Sequence, residues 1–133
     1  MGWEKRRFKR IQVELAVELA HVDIDLNVLQ PAIVHKAQIA DLSATGMLMY
    51  SPKQFRAGSR FQLTMDLQGT TVQFYVIVKH SFNMNSGPSA AYGHGLQIVG
   101  GTQASVVTLI GYINTLWRAK VASNGSEGLD CAA

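Results

Sequence analysis

Alternation of apolar and polar residues limits what this chain can fold into. Residues 11–20 alternate strictly, with large apolar side chains at every odd position. Residues 60–78 repeat the pattern on both sides of Gln68-Gly69, a dipeptide suited to a tight turn. A period of two is typical of strands with one buried face, and two such runs around a short turn indicate a β-hairpin. On these faces Phe61 and Phe74 are expected inside.

Further strands and one helix complete the expected order. Residues 32–40, 47–50 and 95–99 are predicted to be strands, with loops at 21–31, 51–58 and 83–91. After Gly100-Gly101, Thr102 can cap a helix whose apolar residues recur at helical spacing until about Lys120. The apolar stripe comprises Val106, Leu109, Ile110, Ile113, Leu116 and Trp117. Six short strands and a closing helix predict a small antiparallel barrel or sandwich.

Charge divides the chain into a basic arm and a nearly neutral body. Residues 1–10 carry five basic side chains and one acidic, whereas the other 123 residues carry seven basic and eight acidic. This placement argues against a broad nucleic-acid-binding face and favours a short segment acting on a compact anion. We therefore expect a flexible basic arm at 1–10, a folded domain at 11–120 and a disordered tail at 121–133. No apolar run nears the roughly 18 residues of a membrane span, which predicts a soluble cytoplasmic protein.

The sequence offers little support for catalysis or a metal site. The four histidines, His21, His35, His80 and His94, lack partners at metal-ligand spacing. Ordinary surface or partly buried histidines are the expected interpretation. Cys131 lies third from the end, in the expected tail. We predict that the protein is not an enzyme.

The basic arm suits a small, doubly charged ligand that carries purines. Arg6 and Arg10 are four positions apart, with Phe8 between them. A guanidinium can pair bidentately with the O6 and N7 edge of guanine or with two phosphate oxygens, and its flat face can stack on a base. A solvated basic arm is the alternative interpretation.

Residues 41–46 place a carboxylate, a hydroxyl and a glycine between two apolar runs. The Asp41 carboxylate would accept hydrogen bonds from the N1–H and N2–H₂ donors of guanine. Ser43 can donate or accept a hydrogen bond. Gly46 allows either a positive φ or a close approach by another group, and its missing side chain keeps the wall of the site low. An Asx turn between two strands is the alternative.

Together the two segments resemble the PilZ domain, a family of bacterial receptors for cyclic di-GMP. The resemblance rests on Arg-x-x-x-Arg at 6–10, followed 31 positions later by Asp-x-Ser-x-x-Gly at 41–46, and on the pattern of six strands and a helix. Residues 95–98 are similar to the family's last strand, although Ile98 replaces a more usual aromatic. The resemblance covers roughly residues 4–120 and implies an all-β fold, a six-stranded antiparallel barrel with a C-terminal helix.

The resemblance also implies a binding site. The expected ligand-binding residues are Arg6, Arg7, Arg10, Asp41, Ser43 and Gly46. The arginines would hold phosphates and guanine edges, Asp41 and Ser43 would bind a guanine edge or phosphate, and Gly46 would permit the turn. The ligand would be cyclic di-GMP, with no cofactor or metal. Ordering of the arm would change the surface offered to an unidentified effector protein.

Two other functions stay open. The first is a protein-interaction module that keeps the fold and does not bind the nucleotide. The second is a small barrel for single-stranded nucleic acid, which would need aromatic stacking platforms on a basic groove. Because aromatics make up 8% of the chain and Phe61 and Phe74 are expected inside, a nucleic acid polymer is not an expected partner.

Overall fold

A computed structural model of the protein describes residues 10–84 and 91–124. Within these ranges the elements are β1 (Ile11–His21), β2 (Val34–Leu42), β3 (Gly46–Ser51), β4 (Arg60–Leu67), β5 (Thr70–Met84), β6 (Ala91–Gly101) and α1 (Gln103–Asn124). The strands form a closed barrel in the order β1-β2-β3-β6-β5-β4, and every neighbouring pair is antiparallel. The predicted fold class is therefore confirmed.

The alternating residues form the barrel interior, as predicted. Leu19, Phe61 and Phe74 are fully buried, with 0% of each exposed. Burial of each such side chain contributes about 1.5–3 kcal/mol. Gln68 and Gly69 both have positive φ, 56° and 93°. Two successive residues in this conformation give a turn whose twist matches that of the flanking strands, so this hairpin forms where the sequence indicated.

Helix α1 covers one end of the barrel. The Thr102 hydroxyl accepts a hydrogen bond from the Ser105 N–H at 3.1 Å, which confirms the predicted cap. Leu109 and Ile113 are almost fully buried, but Ile110 is 42% exposed because the buried stripe is narrower than predicted. The helix continues to Asn124, so residues 121–124 are helical, although the predicted tail began at 121. Residues 125–133 lie outside the described ranges.

The other end of the barrel is closed by Phe55, from the connection between β3 and β4. Phe55 is 4% exposed, and its ring packs edge-on against Phe61 and against His35. Its N–H donates to Nε2 of the fully buried His94 at 3.0 Å. The His94 Nε2 therefore carries no proton, and the ring is neutral. His94 fixes the connection that closes this end.

The strands differ from prediction mainly at their ends. The loop predicted at 83–91 is shorter, since β5 continues to Met84 and β6 begins at Ala91. Residues 83 and 84 pair with 92 and 91, so ladder hydrogen bonds outweigh the poor strand propensity of Asn83. Strand β2 extends through Leu42, which places Asp41 inside a strand and not in a turn. Within the described ranges, no helix is long and apolar enough to cross a membrane.

His94 predicts how the stability of the fold depends on pH. Burial lowers the pKa of His94 from its ordinary value of 6.5, and its interaction with the Met49 backbone offsets part of this effect. The unfolded chain therefore binds a proton that the folded protein excludes, so stability is complete above pH 6.5 and declines as pH falls below it. We expect the thermal unfolding midpoint, followed by circular dichroism, to fall between about pH 7.5 and about pH 5.5.

The control for this prediction is His94→Gln, whose side-chain oxygen can still accept from the Phe55 N–H and does not titrate. Its unfolding midpoint should depend less on pH than that of the wild type. Burial also lowers the pKa values of His21 and His35, so a smaller dependence of the same sign should persist. Equal pH dependence in the two proteins would contradict the assignment to His94.

Candidate functional site

A bulge in β2 turns the Asp41 side chain out of the barrel. Ile39 and Leu42 are both fully buried although they are three positions apart, so simple alternation would point Asp41 inward. The pairing shifts at this point, since Ile39 pairs with Met49 whereas Asp41 pairs with Leu48. Strand β2 therefore contains one extra residue, and Ala40 and Asp41 both face outward. The fold places a carboxylate on the barrel surface without burying its charge.

Arg10 lies beside this carboxylate. Gln12 pairs with Asp41 across β1 and β2, so the residues just before β1 reach the bulge. Arg10 Nε lies 3.4 Å from Asp41 Oδ1, and the side chains are 38% and 25% exposed. At this distance and exposure the pair contributes at most about 1 kcal/mol to stability. The ion pair is weak enough for a ligand to replace.

The Ser43 hydroxyl organises the turn between β2 and β3. Its oxygen accepts hydrogen bonds from the N–H groups of Gly46 at 3.1 Å and Thr45 at 3.3 Å. It also donates to the Gly46 carbonyl at 3.2 Å, and Ser43 is only 6% exposed. The turn is therefore made by the serine hydroxyl, and Asp41 faces the groove. In this structure Ser43 positions the loop, and the prediction that it contacts a ligand stays a prediction.

Gly46 has the second of the two roles expected for it, a close approach by another part of the chain. Gly46 does not have a positive φ, so its backbone conformation is one that other residues can also adopt. A Cβ at this position would lie 2.7 Å from the Leu96 carbonyl oxygen. Gly46 therefore lets β3 approach β6 closely, directly beside the turn. The Thr45 carbonyl accepts from the Ile98 N–H at 2.9 Å and fixes the turn to β6.

Asp41 forms part of the wall of a shallow groove of about 520 Å³ on the outside of the barrel. The groove follows a second bulge, where Val13 and Glu14 of β1 lie opposite Ala40. It is lined by Gln12, Val13, Glu14, Ala40, Asp41, Leu48 and Tyr50. A neighbouring depression of about 730 Å³ shares Glu14 and Tyr50 with it. The surface is thus open. It carries one aromatic side chain, Tyr50, and two carboxylates, Glu14 and Asp41, of which Asp41 lies beside Arg10.

The described residues bring together four of the six predicted site residues: Arg10, Asp41, Ser43 and Gly46. Arg6 and Arg7 lie outside the described ranges. Glu14 and Tyr50 line the groove but were not predicted, because neither belongs to a recognisable motif. The bulge in β2 had a signal in the sequence: apolar residues at 39 and 42 break the period of two.

The histidines provide no metal centre in the described part of the chain. His21 Nε2 and His35 Nε2 are 3.0 Å apart and hydrogen-bond to each other. Burial lowers the pKa of both rings, and the charge of nearby Lys53 lowers both further. No group of three or more potential metal-ligating side chains occurs among residues 10–84 and 91–124.

Comparison with known proteins identifies the fold. The family model of the PilZ domain matches residues 4–115. A search of curated protein sequences gave no significant match. The structure resembles the PilZ domain with c-di-GMP of YcgR from Escherichia coli, with a TM-score of 0.61 and 17% identity over 90% of this chain and 96% of that one.

Two longer proteins contain a similar domain. The Bacillus subtilis inhibitor of motility, MotI/DgrA, has a TM-score of 0.67 and 16% identity, covering 87% of this chain and 52% of that one. The K. pneumonia MrkH–c-di-GMP complex has a TM-score of 0.66 and 11% identity, covering 86% of this chain and 54% of that one. The chain therefore spans about half the length of these two neighbours. At these identities the likeness establishes the fold alone.

Proposed function

Because the chain belongs to the PilZ domain family, we propose that it is a non-enzymatic receptor for cyclic di-GMP. The observation that carries the proposal is the β2 bulge, which turns Asp41 outward beside Arg10 on the wall of an open groove. Two solved neighbours are named as c-di-GMP complexes, those of YcgR and MrkH. Arg10 and Asp41 lie on this surface, and the turn from Ser43 to Gly46 lies directly beside them.

The chemistry of the site favours guanine. A carboxylate accepts well from the N1–H and N2–H₂ pair of guanine, and adenine lacks that pair of donors. Arg10 would release Asp41 and turn its guanidinium to a phosphate or to the O6 and N7 edge of a guanine. Exchange of a weak ion pair for two charge-assisted contacts with the ligand is energetically favourable.

The rest of the basic segment completes the proposed site. Arg6 and Arg7 would contact the ligand from the side opposite Asp41, so that the arm and the barrel hold the dinucleotide between them. Binding would thereby change the surface presented to an effector protein, in the cytoplasm of a bacterium. Support for an effector comes from the neighbours, since MotI is named an inhibitor of motility and MrkH a c-di-GMP-dependent transcription regulatory factor.

Calorimetric titration of the purified chain tests the proposal directly. We expect cyclic di-GMP to bind with a dissociation constant of about 10 µM or lower, which corresponds to roughly 7 kcal/mol. Cyclic di-AMP should bind at least about tenfold more weakly, because it cannot donate to Asp41 as guanine does. Absence of binding to cyclic di-GMP would overturn the proposal and favour a PilZ-fold interaction module that does not bind the nucleotide.

A further inference from the structure

Two exposed aromatic side chains lie on the barrel surface, and one strand, β6, separates their own strand from the groove. The rings of His80 and Phe82 in β5 have centroids 6.2 Å apart and planes inclined by 22°. A Cβ built on Gly93 would lie 2.2 Å from Phe82 Cζ, and one built on Gly95 would lie 2.3 Å from His80 Cε1. The two rings therefore lie side by side directly over the two glycines of β6. We call this pair, His80 and Phe82, the aromatic shelf.

A bulge in β5 places the shelf on the outside. The buried residues of β5, including Val76 and Val78, occupy even positions, so continued alternation would point His80 and Phe82 inward. Val78 pairs with Leu96, whereas His80 pairs with Gly95, so Lys79 is an extra residue. The bulge reverses the direction of the side chains that follow it, as the bulge in β2 does for Asp41.

The register connects the shelf to the groove. Each glycine of β6 lies between a residue of β3 and a residue of β5. Gly93 pairs with Tyr50 and Phe82, and Gly95 pairs with Leu48 and His80. Tyr50 and Leu48 line the groove that contains Asp41. Neighbouring strands are about 4.8 Å apart, so the Phe82 backbone is roughly 10 Å from that of Tyr50. Because the glycines have no side chains, the rings extend over them from β5 toward the groove.

We propose that the aromatic shelf stacks against one purine base of the ligand while Asp41 reads the edge of the other. This inference rests on the proposed function. Stacking on an aromatic face accepts any purine, so the shelf would add affinity and leave the choice of guanine to Asp41. The two rings present flat faces of the width of a base, and Phe82 is 40% exposed. The two bases of a cyclic dinucleotide project from one ring of sugars and phosphates, which suits two neighbouring contacts on one surface.

Phe82→Ala and His80→Ala test the shelf, with Tyr75→Ala as the matched control. Tyr75 is also an outward aromatic residue of β5 next to a glycine, since a Cβ on Gly100 would lie 3.4 Å from its ring. Unlike the shelf, it lies near the end of the barrel that α1 covers. We expect Phe82→Ala to weaken binding of cyclic di-GMP about tenfold in calorimetry, His80→Ala to weaken it less, and Tyr75→Ala to leave it unchanged.

A second ligand separates stacking from edge recognition. Phe82→Ala should weaken the binding of 3′,3′-cyclic GMP-AMP by the same factor as the binding of cyclic di-GMP, because a stacking face does not distinguish the purines. In proton NMR, a purine H8 resonance should move upfield on binding to the wild type and move less with Phe82→Ala. Should Phe82→Ala not fold, Phe82→Leu keeps an apolar cover over Gly93 without an aromatic face, and the same loss of affinity is expected.

The outcomes separate the shelf from the proposed function. One outcome would refute the shelf alone: the wild type binds cyclic di-GMP, Asp41→Ala does not, and the two shelf variants bind normally. The receptor proposal would then stand. The rings would then serve only to cover the glycines. If the wild type does not bind at all, both proposals fail. A loss in Tyr75→Ala equal to that in Phe82→Ala would also refute the shelf.

Discussion

Asp41→Ala is expected to weaken binding of cyclic di-GMP at least about thirtyfold, which corresponds to about 2 kcal/mol, while the barrel stays folded. The carboxylate faces outward, and its ion pair with Arg10 spans 3.4 Å at an exposed position. Removing it therefore costs little folding energy. The bound guanine would lose a charged acceptor for two donors, and this loss outweighs the small gain from an Arg10 that no longer has to leave Asp41.

Arg10→Ala should show a loss of similar size for a complementary reason. Arg10→Lys separates charge from geometry, because lysine keeps the positive charge but cannot form the planar, bidentate contact of a guanidinium. If Arg10 grips a guanine edge or two phosphate oxygens, lysine should restore only part of the affinity. Full restoration would mean that the contact is a simple charge interaction.

Calorimetry measures both effects, and circular dichroism confirms that each variant is folded. Asp25→Ala and Arg118→Ala are the matched controls, since they remove an exposed carboxylate and an exposed guanidinium that do not line the groove. Both should bind as the wild type does. Unchanged affinity in both Asp41→Ala and Arg10→Ala would refute the proposed site even if the wild type binds the nucleotide.

The sequence predicted the barrel because alternation is a local property that the fold preserves. Leu19 and Phe61 lie inside, as their positions in alternating runs require. The bulges were not predicted. In β5 the inserted residue leaves an alternation that looks continuous, and in β2 the break between the apolar positions 39 and 42 does not by itself distinguish a bulge from a turn. Val78 is buried as alternation predicts, yet His80 and Phe82 beyond the bulge face outward. A bulge also determines the direction of Asp41, so the proposed site depends on the irregularities of the sheet.

The motif places residue types at fixed spacings, but it does not show what each side chain contacts. Ser43 has the residue type of a ligand contact, yet in this structure its hydroxyl makes three hydrogen bonds within its own turn. For Gly46 the sequence left a positive φ and a close approach both open, and the structure shows the close approach of a neighbouring strand. A sequence shows which residue types occur together but not which atoms they contact. Only the pairing of β3 with β6 reveals that the turn beside Asp41 is fixed by Leu96 and Ile98.

Gly46→Ala is expected to reduce both stability and ligand affinity, and Gly111→Ala provides a control of opposite sign. The new methyl group at Gly46 would meet the Leu96 carbonyl oxygen at 2.7 Å, and this backbone atom cannot move without opening the pairing of β3 and β6. We expect the free energy of unfolding to fall by about 1–3 kcal/mol. Because Gly46 also anchors the Ser43 turn, the displacement should move Asp41 and weaken binding of cyclic di-GMP in the protein that remains folded.

At Gly111, in the middle of α1, a Cβ would meet nothing within 4 Å. Alanine there removes the entropic cost of a helical glycine without a clash, so the free energy of unfolding should rise by about 0.5–1 kcal/mol. Urea denaturation measures both changes on one scale, and calorimetry at a temperature where both variants are folded measures binding. If Gly46→Ala were as stable as the wild type and bound normally, β3 and β6 would tolerate a side chain at this position. The contact that fixes the turn beside Asp41 would then not be required for the site.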